Sequence, residues 1–125
     1  MKASKPCEIT GLRRTTESLN EDTMEALTQR FETPNGAVEG IVVVWPGFKI
    51  LMITGRKGFL ACPAFDLACC QDFGAAAAIV ESGPSNPIGT LERFCDRKIT
   101  RINDKARDLG IREGMIAKEA FALIA

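Results

Sequence analysis

Cys62 and Asp66 stand four residues apart in "GFLACPAFDLACCQDFG", residues 58–74, a stretch that also carries Cys69 and Cys70. Pro63 suits the first position of a helix, where its missing N–H costs nothing. That places Cys62 as the capping residue, Phe65, Cys69 and Phe73 along one helix face, and Gly74 at a left-handed C-terminal cap. A thiol at a helix start feels the positive end of the backbone dipole, which favours the thiolate by roughly 0.3–1 kcal/mol. The chemistry this suggests is nucleophilic or redox, of hydrolase, transferase or redox type, with Cys62 and Asp66 as the candidate catalytic residues. Asp66 works against it: a carboxylate about 5 Å away repels a second negative charge by about 3 kcal/mol at an effective dielectric of about 20. A Cys62 nucleophile therefore requires Asp66 turned away or protonated. The plainer reading, and the weightier one, is a small buried cysteine at a strand–helix junction with Asp66 in the first turn of the helix.

Other chemistries are narrower. Cys62, Asp66 and Cys69 or Cys70 can share a helix face, but there is no C-x-x-C pair and no histidine, so no metal or cofactor is expected. The missing histidine also excludes Ser–His and Cys–His nucleophile pairs within this chain, and the missing tyrosine excludes phenol acid chemistry. Lys57, Gly58 and Pro63 are the candidate contacts for a small-molecule ligand. Lys57 can reach an anionic group, although a lysine at such a turn is ordinarily just exposed. "GIREGM", residues 110–115, can present N–H groups to an anion, but its simpler task is to join two helices. Cys69 and Cys70 adjoin and point in different directions, one toward the core and the other toward solvent or a partner. Cys7 and Cys95 show no pairing pattern and are read as free thiols, in keeping with an odd total of five cysteines.

These residues need elements to position them. "LTQRFET", "AVEGIVVVW", "FKILMIT" and "FLAC" read as four strands between residues 27 and 62. They are joined by the turn signals Pro34-Asn35-Gly36, Pro46-Gly47 and "GRKG". Short connections make such strands antiparallel neighbours. "IVVV" and "ILMI" are apolar on both faces, so at least part of the sheet is expected to be covered twice, by helices on one side and by another subunit on the other. Ile41, Val43 and Trp45 are the candidate interface residues. "AAAAIVE" reads as a short buried strand, "SGPSNPIG" as a loop, "TLERFCD" as two helical turns capped by Thr90, and "KITRI" as a further strand. Asn103 caps "DKARDL", and Gly110 followed by Ile111 fits a Schellman closure. A last helix over 113–124 buries Ile116, Ala120, Leu123 and Ile124, with Lys118 and Glu119 outward. The fold class is α+β: a two-layer sandwich in which an antiparallel β meander is followed by helices packed on one face.

The chain has 125 residues, one domain by length, with 46% apolar and 26% charged residues, as in a soluble globular protein. Residues 1–26 are polar and aperiodic and read as a flexible arm, with a helical turn near "NEDTMEAL" that Asn20 can cap. Residues 27–125 form the single folded domain. Positive and negative residues balance at 16 each, so no overall field draws the chain onto nucleic acid or anionic lipid. The most basic stretch, from Arg93 to Arg112, is interleaved with Asp96, Asp104 and Asp108 as a solvated surface is. No apolar run approaches the length of a membrane span, about 20 residues, and the first residues hold no signal-peptide core. The expected compartment is the cytoplasm, where thiols stay reduced.

Two motifs, "KGFLACPAFD" (57–66) and "ARDLGIREGMIAKEAFALI" (106–124), lie in order with "GAAAAIV" and "GTLERFCDRKI" between them. Over residues 30–125 the chain resembles the YunC-like family of small bacterial and archaeal domains of unknown function. The resemblance implies a two-layer α+β domain whose N-terminal β region serves self-association into a homo-oligomer, a dimer or tetramer, and it implies no known reaction. Trp45, which ends the strongest β run, lies in that region. The family carries glycine after the motif cysteine where this chain has Pro63, which removes both room and an N–H.

Overall fold

The structure is a computed structural model that describes residues 24–125, together with the backbone of a two-residue strand, β1 (Arg13–Arg14). Most of the expected arm, including Cys7 and Asn20, lies outside the described residues. Within the "NEDTMEAL" stretch, Glu25–Leu27 is extended rather than helical, as the opening of β2 (Glu25–Thr33). The meander continues through β3 (Gly36–Trp45), β4 (Phe48–Thr54) and β5 (Phe59–Ala61). The turns fall where Pro34-Asn35 and Pro46-Gly47 predict them. Thr33 pairs with Gly36, and Trp45 pairs with Phe48 across Pro46-Gly47. Gly47 has φ +102°, the sign that the position after a turn proline requires in a type II turn.

After β5 come α1 (Leu67–Asp72), β6 (Ala77–Val80), α2 (Leu91–Phe94), β7 (Ile99–Ile102), α3 (Asp104–Asp108) and α4 (Ala117–Ile124). The seven strands form one sheet in chain order. Every neighbouring pair is antiparallel except β5 and β6, which run parallel, with Leu60 opposite Ala78. A parallel pair cannot be joined by a tight turn, and the crossover here contains α1. The fold is α+β.

Period-2 alternation sends Phe31 of β2, Val38 and Val42 of β3, Leu51 and Ile53 of β4 and Leu60 of β5 into the core. Helices close over this inner face. Phe121 of α4 meets Phe31 with ring centroids 5.4 Å apart, and Leu91 of α2 sits over Gly40, where any Cβ would lie 2.9 Å from the leucine. The opposite face differs along its width. Ile41, Val43 and Trp45 alternate outward on β3 beside Met52, Ile50 and Phe48 of β4, and all but the exposed Phe48 are half-buried. Farther across, Ala61, Ala77 and Ile79 are fully buried within the single chain.

The C-terminal caps match the sequence expectation closely. The Asn103 side chain accepts from Ala106 N–H at 3.0 Å. The N–H groups of Gly110 and Ile111 return to the carbonyls of Arg107 and Ala106, the paired bonds of a Schellman closure. The last helix begins at Ala117, four residues later than expected. Gly114 is left-handed (φ +91°) and Met115 N–H closes a turn onto Arg112, so the chain cannot coil before that point. Phe121, absent from the expected stripe, is buried, while Ile116 and Leu123 are only half-buried.

Candidate functional site

The helix expected to open at Cys62 opens at Leu67 instead, with Asp66 as its cap. The Asp66 carboxylate accepts from the N–H groups of Ala68 (2.9 Å) and Cys69 (3.3 Å). A carboxylate oxygen serves this position far better than a thiol, so Asp66 takes the role that the sequence offered to Cys62. Pro63 fits equally well as the second residue of a β-turn. Phe65 N–H closes that turn onto the Cys62 carbonyl at 3.4 Å. Cys62 itself extends the β4–β5 ladder, its N–H donating to Leu51 at 3.1 Å, and its residue is 6% exposed. Gly74 and Ala75 close α1 by N–H bonds to Gln71 and Cys70, as Gly74 predicts. The helix face does not follow: α1 buries no residue, and Phe73 is 85% exposed.

The cysteines divide three ways. Cys62 is buried, Cys69 exposed and Cys70 half-buried, all as free thiols. Burial pushes the Cys70 thiol up from its ordinary pKa, with smaller contributions from Cys69 and Asp66. Cys95, expected to be free, is disulfide-bonded. Among the described residues no three His, Cys, Asp or Glu side chains are grouped to hold a metal ion.

Cys62 and Pro63 face a cavity of about 590 Å³ just beyond the carboxyl ends of β5 and β6. One wall is Phe48, Lys49 and Leu51 from β4; the second is Cys62, Pro63 and Ala64; the third comes from the 82–89 loop through Ser82, Gly83, Pro84, Pro87, Ile88 and Gly89. Leu51, Cys62 and Ile88 are buried, whereas Phe48 is 54% exposed at the rim. Lys49 is the one charged residue of this lining. Its ammonium donates to the Gly89 carbonyl at 2.9 Å, linking β4 to the loop.

The loop is fastened from beneath. Arg97, 8% exposed, donates to the carbonyls of Asn86 and Pro87 at 2.9 Å each and to the Asn86 side chain at 3.2 Å. Ser82 Oγ accepts from Ile88 N–H at 3.2 Å, and Glu81 exchanges bonds with the Lys98 backbone. A ten-residue connection between β6 and α2 is thus held in one shape.

Lys57 and Gly58 do not join Cys62 and Pro63. They lie at the other end of β5, on the order of 16 Å away for five extended residues. Lys57 N–H donates to the Ile124 carbonyl at 2.8 Å while its side chain is exposed. Gly58 is a packing position, where a Cβ would stand 2.8 Å from the Ala76 carbonyl oxygen. Sequence reasoning missed Lys49, Ile88 and Arg97. The one available signal was the Pro- and Gly-rich loop "SGPSNPIG", since long shaped loops are disproportionately binding elements.

The family model described as Domain of unknown function (DUF1805) matches residues 61–124. It therefore covers the Cys62–Ala64 wall, the loop and all four helices. No curated protein matches the chain. Among solved structures, the chain is similar to the crystal structure of a protein of unknown function, TA1206, from Thermoplasma acidophilum. That likeness has a TM-score of 0.72 at 16% identity and covers 87% of this chain and 100% of that one. At that identity it speaks for the fold alone.

Proposed function

Because the chain belongs to the DUF1805 family of domains of unknown function, we propose its role from its own site: a small ligand-binding module that works as a homo-oligomer. The carrying observation is the cavity at Cys62–Ala64, whose volume of about 590 Å³ suits a small molecule. Its place supports the same reading. Beyond the carboxyl ends of parallel strands the connections diverge and leave a crevice, and α/β sheets bind ligands there. In this chain β5 and β6 are such a pair. Self-association uses the outer face of β3 and β4, with Ile41, Val43 and Trp45 as the contact, as a dimer or a tetramer. The YunC-like kinship and the absence of a nucleic-acid or membrane partner belong to this proposal. Among the described residues no helix is long and apolar enough to cross a membrane.

The test is titration with Nile red, a neutral apolar dye. One dye should bind per chain, and binding should be lost in the double variant Ala64→Phe/Gly83→Phe, which fills the cavity from two positions with open space or solvent beside them. Dye binding unchanged in that variant rejects the cavity as the site.

A second reading is enzymatic, favoured by one observation: Cys62 is among the residues lining the cavity. Asp66 would then have to leave the cap it forms with Ala68 and Cys69. Alkylation rate against pH, with Cys62→Ser as control, separates the two readings. A Cys62 no faster than a free cysteine speaks for the binding module.

A further inference from the structure

The lining of the cavity narrows the kind of molecule it suits. Its buried floor is Leu51, Cys62 and Ile88, and Phe48, 54% exposed, contributes to the rim. An apolar body placed there would cover this floor, and burying apolar area is favourable. The charge is one-sided. No carboxylate lines the cavity, and the single ionic group is the Lys49 ammonium at its mouth. That ammonium is held by a neutral partner, the Gly89 carbonyl, on the exposed side of the site. The Lys49–Gly89 bond is charge-assisted on its donor side only, whereas an ammonium–carboxylate bond carries charge on both sides. A lysine has three donors, of which Gly89 takes one. An incoming anion can therefore add to this link or displace it, and either response draws the ligand's charged end to the β4–loop seam.

We infer that the cavity takes a small monoanion with an apolar body, such as a medium-chain carboxylate. The apolar part lies over Leu51, Cys62 and Ile88 and the anionic group meets Lys49. This rests on the reading of the cavity as a binding site and adds the chemical class of its ligand. Lys49 is the specificity-determining residue; the floor supplies affinity without discriminating charge. A cationic amphiphile is rejected because its head meets another cation and no carboxylate.

The molecule carries its own reporter. Trp45, the one tryptophan, packs edge-on against Phe48 with ring centroids 5.8 Å apart, and Phe48 lines the cavity. Trp45 emission should respond to octanoate and saturate at one per chain, while 1-octanol and octylamine should bind about tenfold more weakly or worse, the scale of one charge-assisted bond. Lys49→Met keeps the length of an exposed side chain and should abolish the preference for octanoate over octanol. Octanol binding as tightly as octanoate, or octanoate unaffected by Lys49→Met, would overturn the assignment of ligand class while leaving the cavity as a site. Octanoate binding undiminished in Ala64→Phe/Gly83→Phe would place it elsewhere and overturn both. No saturable response to any of the three, with Nile red still bound at the cavity, rejects the ligand class alone.

Discussion

The two ends of β5 come from one motif, "KGFLACPAFD", and have opposite fates. At the Lys57–Gly58 end the backbone is packed against backbone: Gly55 lies against the Ile124 carbonyl and Gly58 against that of Ala76. At the Cys62–Pro63 end the chain turns away and leaves open space between β4, the turn and the 82–89 loop. The glycines serve close approach, which joins the sheet to α4 and to β6. The proline serves a turn, which gives the cavity a stiff wall. A lysine–glycine pair that resembles a ligand contact in the sequence is a structural joint, and the ligand-facing half of the motif is the half with the cysteine and the proline.

The closed end should be far less tolerant of change. Gly55→Ala and Gly58→Ala each drive a Cβ into a backbone carbonyl that cannot swing aside. Each should cost about 3 kcal/mol, at the upper range for overpacking, as read by denaturant midpoint. A loss below about 1 kcal/mol would mean that this end yields as readily as the other. At the open end the largest effect should come from beneath the loop. Arg97→Met strips three amide oxygens of their donor, and should cost about 2 kcal/mol and weaken Nile red binding. Full stability with intact dye binding would show that the loop holds its shape without the arginine.

How much of this contrast was legible in the sequence depends on whether the signal is local. Turn and cap residues act within a few positions, so Pro46-Gly47, Thr90, Asn103 and Gly110-Ile111 mark their structures directly. The start of α1 was ambiguous because Pro63 suits both a first helical residue and a turn; the capping strength of Asp66 over Cys62 decides it. The start of α4 turned on the conformation of Gly114, which composition does not specify. The cavity was beyond reach, since its walls come from three separated stretches around positions 49, 63 and 86. Lys49 looks like any edge lysine until the fold brings Gly89 to it.

Smaller effects sharpen the same comparison. Asp66→Ala removes a helix cap and should cost about 1 kcal/mol by thermal melting; unchanged stability would show that the cap contributes nothing. Pro63→Gly should cost about 0.5 kcal/mol by loosening the unfolded chain, while leaving octanoate binding within about twofold, because the ligand is held by Lys49 and the floor rather than by the turn. A pronounced gain in affinity would mean that the amide absent at Pro63 matters. The smallest effect concerns Cys70. Its raised pKa keeps the thiol protonated to higher pH than a free cysteine. Alkylation of Cys70 should therefore rise later on the pH axis, and Asp66→Asn should bring it slightly earlier by removing one of the charges that raise it.

The central claim is that the space beside Cys62 is where a ligand sits. Site-resolved alkylation by a maleimide, read by mass spectrometry with and without saturating Nile red, tests it most directly. The account predicts that Cys62 is protected while exposed Cys69, outside the cavity, reacts at an unchanged rate. Equal rates at Cys62 with the dye bound would contradict it.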